Sequence, residues 1–163
     1  MIKSTIAFIV LFCLVSVSQA QQVANITDPR LQIELPTVKG EKLSLASLKG
    51  KVILLDFWAS WCMPCRSANK KLVKLYEKYK AKGFEIYSVS LDDDKADWEK
   101  AIRQDKISWL QVNEPSVWGA ESARRWNISA LPTTFLINKK GDVVAIDLET
   151  KELDAAIAKL LAE

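Results

Sequence analysis

The chain of 163 residues contains no histidine. That absence removes Ser-His-Asp and Cys-His nucleophile pairs, His-containing zinc or copper sites, proximal-His haem and histidine general acid–base chemistry together. Cysteine is scarce too, with only Cys13, Cys62 and Cys65. Neither sign of charge dominates: 23 Lys+Arg against 20 Asp+Glu leave a net charge of +3, too small and too evenly spread to argue for nucleic acid or an acidic partner. Internal repeats and low-complexity tracts are absent. With 49% hydrophobic and 26% charged residues, the composition is that of an ordinary globular protein with one domain as the default. Chemistry must therefore come from Cys, Asp, Glu, Lys, Tyr or the backbone.

Residues 1–20 carry one lysine, an apolar run from Ile6 to Val15, and Ser18 and Ala20 at the small-residue positions of a cleavage site. This is the pattern of a secretory signal peptide. The alternative is an uncleaved membrane anchor, but the run is shorter than the roughly 20 residues a membrane helix needs. A lipidated Cys13 is disfavoured because Phe12 stands where a small residue is wanted. The expected organisation is a signal at 1–20, a flexible leader at 21–30 punctuated by Asp28-Pro29, and one folded domain at 31–163. Cleavage leaves Cys62 and Cys65 alone in an oxidising, periplasmic compartment where a pair can form a disulfide.

Leu31 to Leu35 and Lys42 to Leu45 read as short strands around a turn at Lys39-Gly40-Glu41. Val52 to Trp58 is apolar except for Asp56, which suits a strand buried on both faces. From about 63 to 81, Ala68, Leu72, Leu75, Tyr76 and Tyr79 recur at helical spacing, with Gly83 as the stop. A strand at Phe84 to Leu91 follows, then a cap at Asp92-Asp93-Asp94, a helix from Ala96 to Asp105 and a shorter one from Ala120 to Trp126. Thr133 to Ile137 and Val143 to Leu148 pair across the turn Asn138 to Asp142, and Lys151 to Leu161 closes the chain as a helix. The order predicts an α/β fold with a central mixed sheet and helices on both faces.

Cys62 and Cys65 fall where the buried strand hands over to the long helix. A thiolate there meets unpaired backbone N–H groups and the positive end of the helix dipole, so its pKa falls and it becomes a nucleophile. Cys65, one turn on, can attack a mixed disulfide formed on Cys62. Pro64 suits the first turn, where its missing N–H costs no hydrogen bond. A purely structural disulfide over so short a loop would be a poor staple, and a zinc site would need four ligands where the chain supplies two, unless a dimer shared the metal.

The segment Trp58-Ala59-Ser60-Trp61-Cys62-Met63-Pro64-Cys65-Arg66, after Leu54-Leu55-Asp56-Phe57, resembles the active-site region of the thioredoxin superfamily. The signal, the leading hairpin, Leu131 to Ile137 and Lys140-Gly141-Asp142 are most similar to its envelope branch, the TlpA- and ResA-like proteins and the thioredoxins of cytochrome c maturation. The resemblance implies a thioredoxin-like fold with an N-terminal β-hairpin extension. It makes Cys62 the exposed attacking thiol, Cys65 the buried resolving one and Pro132 the cis-proline beside them, against an ordinary strand-initiating proline. Trp61, Met63, Pro64 and the backbone of Leu131 would face substrate, with Trp58 in the core. Asp56 matches the buried acid that relays a proton to the second cysteine, the alternative being a solvated acid at a strand end. Two departures stand out: Ala68 occupies the position of a glutamate in ResA-like proteins, and Ser88 that of a lysine in thioredoxins.

The expected activity is reduction of protein disulfides by a periplasmic, monomeric thiol–disulfide oxidoreductase without a cofactor or metal, supplied with electrons by a membrane reductase. Two rivals remain. A peroxiredoxin-type peroxidase shares the fold but wants a Pro-x-x-x-Thr-x-x-Cys context that neither cysteine has, and a non-catalytic binding module would have no use for an intact CxxC. Asp92 to Asp94 reads as a helix cap rather than a calcium loop, the lysines of the long helix as a solvated face, and Asn25 and Asn127 as chance sequons.

Overall fold

In a computed structural model of the chain, residues 28–117 and 119–163 are described. The expected signal at 1–20, with Cys13, and positions 21–27 of the expected leader, with Asn25, lie outside them.

Asp28 caps a 3-10 turn at Pro29–Leu31, where Pro29 supplies a ready helical φ. The first strand is therefore shorter than expected: β1 runs Glu34–Pro36 and pairs antiparallel with β2, Lys42–Ser44. Gly40, at φ 83°, makes the connecting turn. Leu45 leaves the hairpin for a second 3-10 turn, Leu45–Leu48, that buries both its leucines.

Strand β3, Val52–Trp58, is buried at every residue. It leads into helix α1, Met63–Tyr79, which tightens into a 3-10 turn and stops at Gly83 with φ 96°. Strand β4, Phe84–Ser90, follows, then α2, Lys95–Asp105, capped by the Asp94 carboxylate on the amides of Ala96 and Asp97. Next come β5, Leu110–Asn113, α3, Glu121–Arg125, β6, Thr133–Ile137, β7, Val143–Ile146, and α4, Thr150–Ala162. β7 ends two residues before the expected Leu148 because Asp147 turns into the left-handed region at φ 49°. β5 was not anticipated: four residues with a glutamine and an asparagine carry little strand pattern.

The main sheet has the order β5-β4-β3-β6-β7, with β3, β4 and β5 parallel and β6 and β7 antiparallel to their neighbours. It is the expected mixed sheet, with the hairpin joined to its edge through a Thr37–Val112 bridge. Side chains alternate across β3. Ile53, Leu55 and Phe57 pack toward the N-terminal turns, Ala123 and Trp126, while Val52 and Leu54 pack against α1 and α4. Trp58 joins Trp98 and Ala101 of α2 beside the two cysteines. Asp56 points to the α1 and α4 face, in the row Thr134, Asp56, Ser88, Gln111 that crosses four strands. No helix among the described residues is long and apolar enough to cross a membrane.

Leu54, fully enclosed between the sheet and two helices, should lose about 3 kcal/mol of stability on replacement by alanine. The exposed Val144→Ala should lose little, and urea denaturation compares the two. Equal tolerance of both changes would contradict this placement of the core.

Candidate active site

The last residues of β3 and the first turn of α1 hold both cysteines. Cys62 is the N-cap residue, with extended backbone at φ −78° and ψ 97°, and its sulfur accepts a hydrogen bond from the Cys65 amide at 3.2 Å. A first-turn amide of the helix is thus satisfied by sulfur, the arrangement that favours a thiolate at this position. Pro64 stands within the same turn and withholds no needed donor. The two cysteines form a disulfide with their Cα atoms 5.3 Å apart.

Cys62 is buried, not exposed as the resemblance implies. Trp58, Ala59, Trp98 and Ala101 pack around the pair, leaving Cys62 6% exposed and Cys65 1%. Access comes from the rim, where Trp61 is 54% and Met63 73% exposed and Pro64 is also open. Trp58 is wholly buried and donates its indole N–H to Gln111 Oε1 at 3.1 Å. The Leu131–Pro132 bond is cis, and Leu131 packs against the cluster that holds the disulfide.

A cavity of about 480 Å³ opens on the Cys65 side. Asp56, Pro64, Cys65, Ala68, Lys71 and Pro132 line it, together with Thr134, Asp147 and Glu149. Asp56, 3% exposed, is buried at the floor of this space rather than solvated at a strand end. Burial, and to a lesser degree nearby Asp147, raise its pKa to about 6 against a hydrogen bond from Ser88 that lowers it. Ser88 Oγ lies 2.7 Å from Asp56 Oδ2 and in turn accepts the Trp109 indole N–H at 2.8 Å. The position where thioredoxins keep a lysine is therefore a hydroxyl held from behind by a tryptophan.

Several residues that hold the site gave no distinctive signal in the sequence. Asp92, a buried residue after β4, is not the helix cap, which is Asp94 alone. Its carboxylate accepts the Ser60 amide at 2.9 and 3.1 Å, the Ser60 hydroxyl at 2.6 Å and the Ser90 hydroxyl at 2.7 Å. Arg66 Nη1 donates to the Ser60 carbonyl at 3.2 Å, so the residue two before Cys62 is held from both sides. Arg66 also forks onto Asp105 at 2.5 and 2.8 Å, and Asn69 donates to the same carboxylate at 3.0 Å. Burial alone would push Asp105 up, yet these hydrogen bonds and the Arg66 charge hold it below the usual carboxylate range. Only an acid following a strand could have hinted at Asp92, and the three consecutive aspartates obscured it. Among the described residues no cluster of three or more His, Cys, Asp or Glu could hold a metal ion.

The AhpC/TSA family profile matches residues 26–146. The thiol-disulfide oxidoreductase ResA of Bacillus cereus is 34% identical over 117 residues, covering 71% of this chain and 66% of that protein. The ResA of Bacillus thuringiensis is 33% identical over 107 residues and 60% of its length, so the chain matches less than two thirds of these curated relatives. Among solved structures, a thiol-disulfide oxidoreductase from Bacteroides fragilis superposes with a TM-score of 0.73 at 38% identity, covering 78% of this chain and 96% of that one.

A carboxyl whose pKa is higher folded than unfolded binds its proton more tightly in the folded state. Its contribution to stability is full below about pH 4 and is lost as pH rises through about 6. Asp56→Asn should therefore stabilise the protein at pH 7 by about 3 kcal/mol, with the gain vanishing below pH 4. Urea melts at the two pH values measure it, and an Asp56→Asn protein less stable than the parent at pH 7 would contradict the burial of an ionisable group here.

Proposed function

The chain belongs to the AhpC/TSA family and has the thioredoxin fold, and from that premise we propose that it is an extracytoplasmic thiol–disulfide oxidoreductase that reduces disulfides in proteins. One observation carries the reading. The Cys62 sulfur sits on the first-turn amide of α1, while Cys65 shares a cavity with a buried carboxyl whose pKa is near neutrality. That pairs a sulfur held on a helix N-terminus with a base for the second thiol.

In the reduced protein the Cys62 thiolate attacks one sulfur of a substrate disulfide. The substrate S–S bond breaks, its other sulfur leaves as a thiolate that takes a proton, and a mixed disulfide joins substrate to Cys62. Cys65 then gives its proton to Asp56 and attacks the Cys62 sulfur. The second substrate sulfur leaves and is protonated in turn, and the Cys62–Cys65 disulfide forms. Two electrons have passed from the dithiol to the substrate. An extended substrate segment would lie along the Leu131 backbone beside Pro132, with Trp61, Met63 and Pro64 covering the reacting sulfurs.

Restoring the dithiol requires a donor, and a membrane thiol–disulfide reductase fits a compartment that lacks a thiol buffer of its own. The signal pattern at 1–20 supports a periplasmic location for the folded domain. Among possible clients, an oxidised apocytochrome c is the one to which the ResA-like resemblance points.

Insulin reduction with a dithiol donor tests the assignment. Cys62→Ser should abolish turnover, and Cys65→Ser should accumulate mixed disulfides visible on non-reducing gels. A Cys62→Ser protein that still reduces insulin would overturn the proposal, as would peroxide consumption faster than disulfide reduction.

A further inference from the structure

Asp56 is held between two groups that act on its proton in opposite senses. On the inner side lies Ser88, its register partner on β4. The Trp109 indole N–H can only donate, so at 2.8 Å it occupies a lone pair of the Ser88 oxygen. The single Ser88 proton is thereby turned toward Asp56 Oδ2, 2.7 Å away, where it favours the ionised carboxylate. Trp109 is itself fixed by packing against Tyr76 of α1, with ring centroids 5.8 Å apart.

On the outer side lies Asp147. Thr134 of β6 is the other register partner of Asp56, and its amide donates to Asp147 Oδ1 at 2.6 Å. The Asp147 amide donates back to the Thr134 carbonyl at 2.9 Å, with Asp147 in the left-handed region at φ 49°. This exchange of hydrogen bonds pins a second carboxylate to the wall of the cavity that Asp56 floors. A like charge there disfavours ionisation of Asp56. The remaining charged or titratable groups lining the cavity are Cys65 and Lys71 of α1 and Glu149 before α4.

We propose that Trp109, acting through Ser88, and Asp147, at the cavity wall, are opposed positioning residues that together set when Asp56 takes the proton of Cys65. The inference rests on the disulfide-exchange reading for its use. Its first readout, the titration of Asp56 itself, does not depend on any activity.

The test is a carboxyl-carbon NMR titration of the full chain with labelled aspartate, run beside the pH profile of insulin reduction. Ser88→Ala should move the Asp56 midpoint up by about one pH unit, the size that loss of a hydrogen bond to a carboxylate implies. Trp109→Phe should move it up by less, since Ser88 can still donate but is no longer oriented. Asp147→Asn should move it down; asparagine tolerates the left-handed backbone and still accepts from the Thr134 amide. Added salt should shrink the Asp147 effect and leave the Ser88 effect.

In each variant the midpoint of the reduction profile should follow the titration. Midpoints that stay put, shifts of one sign in all variants, or a reduction profile that ignores a shifted titration would each overturn the proposal. Should Trp109→Phe fail to fold, Ser88→Ala and Asp147→Asn decide it by their opposite signs. A parent protein that reduces no disulfide would refute the function proposed above while leaving the titration to judge the electrostatic arrangement on its own.

Discussion

Strand β3 is buried on both faces along its seven residues, and it ends at Trp58 with a helix starting five residues later. A one-residue slip would carry the Asp56 carboxyl onto the apolar face of Phe57 and Trp126 and break the packing of both faces, so the carboxyl end of the strand is fixed in space. The short loop Ala59 to Trp61 then places α1, and with it the sulfurs. That loop is held where it could otherwise move: Asp92 binds the Ser60 amide and hydroxyl, and Arg66 binds the Ser60 carbonyl while anchored on Asp105. The Cys62 sulfur is thus supported by the interior of the sheet rather than by a mobile loop.

The same burial that fixes β3 creates its one electrostatic cost, the carboxyl of Asp56. Enclosure drives this group toward the neutral form, and the hydroxyl of Ser88 partly offsets that. The result is an acid that changes charge near pH 6, in the cavity that Cys65 shares. On the proposed function, a group that costs stability at neutral pH stands where its proton affinity suits thiol chemistry. An ionised Asp56 also disfavours a thiolate nearby, which favours the disulfide form. Met63 and Pro64 supply no charge or side-chain donor to reverse that tendency.

Much of this was legible in the sequence because it lies in contiguous pattern. The apolar run with a single acid, the helical spacing after Cys62, and the proline before Thr133 are local signals, and the elements they mark, β3, α1 and β6, stand within a few residues of their expected places. The unread parts are long-range. Arg66 and Asp105 are 39 positions apart, Ser60 and Asp92 are 32 apart, and only the folded sheet brings them together. The strand β5 lacks a pattern because its ladder position, not its composition, makes it a strand. Leu31 lies in a turn, not the expected strand, because the capped Pro29 turn competes with extension more strongly than its apolar neighbours favour it. Ser88 could be seen as a departure from a lysine, but its link to Trp109 could not.

The most direct test of the central claim is the reduction potential of the Cys62–Cys65 pair, obtained by equilibrating the protein in defined thiol–disulfide buffers and following the fluorescence of Trp58 and Trp61. A dithiol built to reduce proteins should have a potential at or below about −270 mV. A value near about −120 mV, that of a strong disulfide donor, would mean that electrons run the other way and would contradict the account.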